Sequence, residues 1–569
     1  MNSVVIVPIF IYHSMKRNFV FSLLVILFAF STVRGQTFEW SHGAEALITA
    51  SAYGIATDAQ GNTVVIGSFY SMASFDTVRL NSQGRDLFVA RYNSNGRLLW
   101  AQRFGGPSDE FGNSVALDAK GNIYIAGSFT NKMQIGKDTL VSAGDHDAFI
   151  AKLTPDGEVL WARRGGGVNS DFAMSIAVDK DGNAFVAGYF RDTSTFGNFV
   201  VAPWRRSLLT MFFAKYDKNG KCEWAKPMGG SNYQSQFDGV GVDVDGSGNV
   251  YLGGCIRGEA YIDEINLSSK GMTDLFIAKF SSKGKALWAK NAGAPNGTAM
   301  IKAVRYTNDH IAISGYFIND ITFDPKTILS SQLGFSDLFI ASYNDDGKFE
   351  WVANSKGRGA KIGEALAADT KGNLYMTGNF NDSLYFGTER LSSDGRQSLF
   401  VASFDAEGKF RFAKQSGRGG VIFSRAIGLD NADNIYIAGG YSDTAAFGKV
   451  PLHAPATTQD MFVTKLSTAT NWTLKKTSDE LVTDNEMLSS DFSTKSSLLL
   501  LRFTVTGSQF VTLGFNDVLG NISESFVEQE LTNGTYELIL NLKKFPKQEY
   551  YSRLQIGANY KQTKRITLE

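Results

Sequence analysis

Residues 115–129 read VALDAKGNIYIAGSF, and the same stretch returns along the chain with its punctuation intact. Copies stand at residues 176–190 (IAVDKDGNAFVAGYF), 366–380 (LAADTKGNLYMTGNF) and 427–441 (IGLDNADNIYIAGGY), with looser ones at 54–69, 242–254 and 304–317. Two alternating apolar runs flank an Asp-x-x-Gly-Asn core. The alternation is the two-residue period of strands. An Asp that bonds its own backbone, with Gly or Asn at positive φ, makes the turn between them.

A second half-unit follows each first one. Residues 86–100 read DLFVARYNSNGRLLW, and the leading Asp recurs at Asp147, Asp274, Asp337 and Asp460, with Thr210 and Ser398 in its place elsewhere. Each unit therefore holds four short strands, A to D, with a tight A–B turn and a Gly-containing C–D turn. Trp closes the unit at 40, 100, 161, 224, 288, 351 and 472, and Phe412 fills the gap; the intervals run from 60 to 64 residues. Seven repeats of four antiparallel strands predict an all-β chain with a seven-bladed β-propeller. Residues 38–43 are expected to complete the last blade, with Trp472 leading into the linker; the alternative takes Trp472 as the last D strand and leaves Trp40 packing on the rim.

Composition agrees. Of 569 residues, 43% are apolar, Gly numbers 58 and Pro only 10, as expected for many strands and tight turns. Lys plus Arg equals Asp plus Glu, at 56 each, so no electrostatic case exists for nucleic acid. Five His and two Cys, all scattered, exclude a zinc cluster and a disulfide scaffold. Export would permit Cys222 and Cys255 to pair; two buried free thiols are the other reading.

The N-terminus carries targeting signals. Lys16-Arg17 precede FVFSLLVILFAF at residues 19–30, and Val33-Arg34-Gly35 suit cleavage before Gln36. Residues 1–35 are read as a signal peptide, with 1–14 an over-extended start before Met15. Residues 36–472 form the propeller, 473–496 a polar linker, and 497–569 a small β-sandwich.

The D-x-x-G-N-x-Y-x-x-G-x-F and D-x-F-x-A-K-Y segments resemble the SBBP-type propeller repeats of secreted bacterial proteins. The resemblance covers about residues 38–472 and speaks to fold, not ligand. The C-terminal block resembles the type A sorting domain of type IX secretion. It does so through residues 511–520 (VTLGFNDVLG, with Asp517 and Gly520), LTNGTY with Gly534 and Tyr536, Gly557, and the ending KRITL with Lys564. The family usually has a short Gly-containing turn where this chain has KKFPKQE at 543–549, and a smaller or polar residue at Phe515. This resemblance implies a Bacteroidetes-type cell, the type IX machinery as partner, and delivery to the outer-membrane surface or beyond.

Chemistry is sparse. Asp243, Asp245, Ser247 and Asn249 resemble a calcium loop with Gly248 at position six; position twelve is Gly254 where such a loop wants Glu, and a lengthened A–B turn is the competing reading. The repeated Asp before strand C is expected to bond backbone donors. Paired glycines after strand D mark a turn. No G-x-S-x-G, H-E-x-x-H or P-loop occurs, so no catalytic residue and no cofactor is assigned. The expected function is a non-catalytic surface scaffold, monomeric, binding an unknown glycan or protein; a polysaccharide hydrolase or lyase is the alternative. The A–B and C–D turns are uniform while the B–C and D–A loops vary, which places the ligand on the B–C/D–A face. There Trp204, Arg205 and Arg206 offer a stacking ring and two guanidinium groups. Asp-Ser/Thr-apolar triplets at Thr77, Thr139, Ser383 and Thr444 are similar to the O-glycosylation acceptor triplet of Bacteroidetes exported proteins.

Overall fold

The computed structural model describes the chain except residues 1–31, 35, 204–208, 231–239, 333, 388, 417–418, 449, 456–457, 469–471, 479–489, 494–497, 508, 517–521, 532, 542–548, 558–559 and 568–569. It divides into two compact units: Gln36–Thr470, and a second of residues 1–35 with 471–569.

In the first unit the described residues form successive antiparallel sheets, each with core strands in the order A–B–C–D. Sheet 1 is Thr49–Thr57, Thr63–Phe75, Val78–Tyr92 and Leu98–Phe104. Sheet 2 is Glu110–Leu117, Ile123–Ile135, Asp138–Leu153 and Val159–Gly167. Sheet 3 is Asp171–Val178, Ala184–Arg191, Leu209–Tyr216 and Cys222–Gly230. Sheet 4 is Gly241–Val244, Val250–Ile256, Asp274–Phe280 and Ala286–Ala292. Sheet 5 is Thr298–Thr307, His310–Ile318, Ser336–Asn344 and Phe349–Asn354. Sheet 6 is Lys361–Ala368, Leu374–Phe380, Ser398–Phe404 and Phe410–Ser416. Sheet 7 takes Val421–Leu429, Ile435–Ser442 and Asp460–Ser467 as A to C, and its D strand is Thr37–Gly43 from the other end of the unit, with Trp40 opposite Lys465. Each A strand touches the A strands of the sheets before and after it, and the A strand of sheet 7 touches that of sheet 1. The A strands are therefore innermost and the circle is closed, as in a β-propeller.

The cores lie between sheets. Apolar clusters join sheets 1 and 2, 2 and 3, and so on, ending with one that joins 7 and 1. The repeating aromatic of strand D works at these interfaces. Trp40, Trp100, Trp161, Trp288 and Trp351 each donate Nε1–H to a carbonyl in the C–D turn of the next sheet, at 3.0–3.2 Å. Each ring also covers that turn's glycine: Gly96, Gly157, Gly220, Gly347 and Gly408, all at positive φ. The spacing of the Trp residues thus reports one sheet reaching its neighbour.

The Asp-x-x-Gly-Asn core is consumed internally. Asp118 accepts the N–H groups of Lys120 and Asn122 at 2.9 Å and the Asn122 side-chain amide at 2.8 Å. Asp58, Asp179, Asp245, Asp369 and Asp430 repeat the pattern. Tyr on strand B adds its hydroxyl to this Asp in several sheets, as Tyr436 does to Asp430 at 3.0 Å. The Asp side chains of these turns are thus satisfied within the turn itself.

The B–C connections are longer than a simple loop. In sheets 1 and 2 the B and C strands run on together to their tip, and in the others the connection forms its own short hairpin, such as Ser383–Phe386 with Glu389–Ser392. The left-handed residue where strand B meets this extension (Ser71, Asn131, Asp192, Gly258, Asn319, Asp382, Asp443) recurs in every sheet.

In the second unit, two antiparallel sheets share one apolar core. One runs in the order Thr32–Arg34, Trp472–Ser478, Gly534–Asn541, Leu498–Val505, Ser490–Ser493, and the other Ile522–Leu531, Gln509–Asn516, Glu549–Ile556, Tyr560–Thr567. Leu501, Phe503, Leu513, Phe515, Leu538 and Leu554 from both sheets are buried together. The expected linker is corrected here: Trp472–Ser478 and Ser490–Ser493 are strands of this unit, the first paired with Gly534–Asn541. Their charged and polar residues hide them from a search for alternating apolar runs, although their backbones pair in the ladder.

Candidate functional site

The inner strands break their own repeat at one place. In six sheets the A strand carries a β-bulge, and the extra residue is Tyr53, Asn113, Met174, Lys302, Glu364 or Arg425. A bulge re-aims a side chain without ending the ladder. None of these side chains is fully buried, and Met174 is 36% exposed. The backbone irregularity repeats while the side chain differs each time. Neighbours in the ring touch: the Asn113 amide donates to Ala173 O at 2.9 Å and lies 3.6 Å from Met174 Sδ. Arg425 lies 3.8 Å from Glu364.

Outside this ring, on the B–C/D–A face, one residue from each of four successive A and C strands of sheets 1 to 3 forms a row. Arg85, Phe111, His146 and Phe172 are half-buried. The Arg85 guanidinium stands 5.1 Å from the Phe111 centroid; Phe111 and His146 are 6.3 Å apart, His146 and Phe172 5.2 Å. The chain neighbour of each is an acid with no exposure: Asp86, Glu110, Asp147 and Asp171. Two guanidinium groups serve these four carboxyls, Arg103 at 2.9 Å from Asp86 and Arg164 at 2.8 Å from Asp147. Burial, reinforced by Asp86, holds Glu110 well above the usual carboxylate range. Burial likewise pushes Asp171 up to about 7.

The other interfaces settle the same position differently. Asp337 meets Lys361 at 2.9 Å, and that fully buried ammonium also donates to Gly357 O and Gly359 O at 2.7 and 2.8 Å. Asp460 accepts from Ala44 N and Met461 N. The expectation of backbone donors holds for Asp147, Asp274 and Asp460 and misses the side-chain cations. The glycines after strand D are also explained. A Cβ on Gly105 would stand 2.5 Å from Asp86 Cγ and 2.6 Å from Glu110 Oε2, and one on Gly166 2.6 Å from Asp147 Cγ. They make room for the acid. Of the paired glycines expected after strand D, Gly105-Gly106 follow it, whereas Gly229-Gly230 lie within it.

The other expected site residues scatter. Trp204, Arg205 and Arg206 lie outside the described residues. Of the calcium-loop residues, Asp245 turns both oxygens onto Ser247 N, Asn249 N and the Asn249 amide at 2.8 Å, while Asp243 accepts from Tyr306 N at 2.8 Å. No group of three metal-ligating side chains occurs among the described residues. The turn is not lengthened either, since Asp245 N bonds Asn249 O as its counterparts do. Thr77 and Thr139 are exposed at hairpin tips, Thr444 is half-buried, and Ser383 is buried and accepts from Arg358 N at 2.9 Å. Ser383 is therefore corrected as an accessible acceptor. Cys222 and Cys255 are buried and form no disulfide; burial pushes the Cys222 thiol up to about 12. In the second unit Asp517 and Gly520 lie outside the described residues. Gly534 opens a strand, Tyr536 stacks on Phe503 at 5.6 Å, Gly557 is at positive φ before the last strand, and Lys564 pairs opposite Ser552.

Comparison with known proteins bears on the repeats. The SBBP β-propeller repeat matches residues 99–128 and 160–189. An uncharacterized WD repeat-containing protein, L264, of Acanthamoeba polyphaga mimivirus is 22% identical over 441 residues, covering 62% of this chain and 32% of its own length. Regulatory protein FlaEY of Caulobacter vibrioides is 27% identical over 135 residues, 21% of this chain and 14% of that protein. The chain thus spans a third or less of the curated relatives it matches. Among solved structures, a gluconolactonase of Xanthomonas campestris has a TM-score of 0.30 at 11% identity, covering 74% of this chain and 89% of that one. A member of the DUF4221 family from Bacteroides vulgatus has 0.33 at 10%, covering 76% and 99%. A puromycin hydrolase has 0.36 at 8%, covering 81% and 59%.

Proposed function

We propose that the chain is an exported seven-bladed β-propeller that binds a ligand without catalysis, followed by an immunoglobulin-like sandwich that addresses it for type IX secretion to the cell surface or medium. The observation that carries the binding reading is the bulge of the inner strands. Six sheets spend the same backbone irregularity on six chemically different side chains, none fully buried. A position whose geometry repeats and whose chemistry does not is suited to specificity. The satisfied Asp-x-x-Gly-Asn turns support the opposite face as scaffold. A hydrolase or lyase would need two carboxyls within reach of substrate. The acid pairs at Asp86–Glu110 and Asp147–Asp171 have no exposure, which favours binding over catalysis.

The test is a glycan and protein array with residues 36–470, repeated with Lys302→Ala and Arg425→Ala. Retained binding in both variants, or binding abolished only by changes in the Asp-x-x-Gly-Asn turns, refutes the assignment of the face. For the address, the C-terminal peptide of the surface-located protein is read by mass spectrometry, and a chain lacking the second unit is fractionated. Normal display of the shortened chain refutes sorting. Intact mass of the secreted protein tests O-glycosylation at Thr77, Thr139 and Thr444.

A further inference from the structure

We propose that the ring of bulged side chains takes a small organic monocarboxylate, held by Lys302 and Arg425. The proposal rests on the binding reading above and assigns it a ligand class. Lys302, Glu364 and Arg425 stand at the same bulge on three consecutive innermost strands, those of sheets 5, 6 and 7. These strands touch in succession, 5 with 6 and 6 with 7. The opposite arc carries Tyr53, Asn113 and Met174, none of them charged. Two cations and one carboxylate leave the six bulge residues with a single positive charge. Further along the A strands of sheets 4 and 5, Asp243 and Arg305 pair at 3.5 Å and cancel.

Three features narrow the class. The cationic donors are open. The Arg425 side chain is 41% exposed and meets Glu364 only at 3.8 Å, too far for a hydrogen bond. The Phe423 ring, 5.8 Å from the guanidinium carbon, helps to station it. Lys302 is half-buried, with no acid in ion-pair reach among the described residues. A guanidinium fork matches the plane of a carboxylate, and a half-buried ammonium gains from one opposite charge. The second feature is the charge count. One carboxylate brings the six residues to zero, a dianion overshoots beside Glu364, and a neutral ligand leaves both cations unmatched. The third is access. The circle of A strands is closed, so a ligand reaches this level end on. A carboxylate at the end of a small molecule suits that approach, and one in the middle of a polymer does not. Tyr53 and Met174 offer surface to the uncharged remainder.

The experiment uses the full chain and isothermal titration with two sources of a terminal carboxylate, glucuronate and N-acetyl-trialanine. Each is run beside its uncharged counterpart, the methyl ester and the C-terminal amide, and inorganic phosphate is the arm of higher charge. Variants are Lys302→Gln, Arg425→Gln and Glu364→Gln, each checked for an unchanged circular dichroism spectrum. At least one carboxylate is expected to bind about tenfold or more tightly than its uncharged counterpart and to weaken about tenfold or more in Lys302→Gln and in Arg425→Gln. It should tighten about threefold in Glu364→Gln, where the internal competitor for Arg425 is gone. A purely structural role for the three residues gives no such tightening. If neither carboxylate binds, if the ester or amide binds as well as the acid, if phosphate is the tighter ligand, or if both cation variants bind as the parent does, the proposal is overturned. If an array ligand without a carboxylate is lost in Lys302→Ala or Arg425→Ala, the ligand class falls while the binding face stands.

Discussion

Trp224 and Trp288 occupy the same place in neighbouring sheets, yet replacing each by Phe should give opposite results. Trp288 donates Nε1–H to Asp345 O at 3.0 Å, whereas Trp224 Nε1 is buried with no partner among the described residues. Both rings cover a glycine of the next C–D turn, Gly347 and Gly284, so the loss of apolar area is similar and cancels in the comparison. The Trp288→Phe change removes a hydrogen bond, at about 0.5–1.5 kcal/mol. The Trp224→Phe change removes an unsatisfied buried donor, whose desolvation costs about 1–3 kcal/mol. Trp224→Phe should therefore be the more stable variant by about 3 kcal/mol. At about 2 cal/mol/K per residue, the unfolding entropy of a unit running from Gln36 to Thr470 is about 0.9 kcal/mol/K. The two Tm values should then differ by about 3 °C in scanning calorimetry, with Trp224→Phe higher. Phe412 shows that this position tolerates Phe natively. Equal losses in the two variants would refute the view that the indole N–H joins consecutive sheets.

Other outcomes follow from the buried acids and the closure strand. Glu110 and Asp171 are raised in the folded state, so the stability they contribute is fully present below their unfolded values and is lost as pH rises through the folded ones, near 7 for Asp171 and higher for Glu110. Tm should fall between pH 6 and pH 9, and Glu110→Gln should flatten the profile; a Tm rising over that range would reject the raised carboxyls. Gly166→Ala should cost about 1–3 kcal/mol by overpacking against Asp147, whereas Gly246→Ala, with nothing within 4 Å of its added Cβ, should stay within about 0.5 kcal/mol of the parent. Urea midpoints decide it, and equal effects would remove the steric reading. Deleting residues 36–43 should lower Tm, and adding a peptide of residues 37–43 should restore part of it; an unchanged Tm would mean sheet 7 does not need its fourth strand.

The repeats were legible because their residues act within a few positions of one another. Asp118 and Asn122, or Gly157 and its turn, carry their geometry in the local sequence. What depends on register was not. The cation opposite the repeated Asp sits on strand D for Arg103 and Arg164 but on the next sheet's strand A for Lys361, and no spacing announces the exchange. The bulges interrupt the alternation that identifies a strand. Strand A of sheet 1 therefore reads from Gly54 in sequence, while the ladder begins at Thr49. Closure was ambiguous for a similar reason. Trp40 and Trp472 carry the same signal, and only their backbone partners, Lys465 and Leu540, separate them.

The closing strand has a mechanical consequence. Thr37 faces Ser467 and Gly43 faces Phe462, so the outward ends of the two strands emerge side by side. Tension applied between those ends would open the ladder one rung at a time, as a zipper opens, instead of shearing all its hydrogen bonds at once. Ser41 and Thr464, 2.9 Å apart, are separated by 423 residues of chain, so the same rungs are the most non-local contacts of the unit. They join only after both ends of the ring have been made, and loop-closure entropy opposes them most. The clasp that completes the circle is thus also its weakest direction under pull, and a force-spectroscopy trace should show it yielding first and at low force.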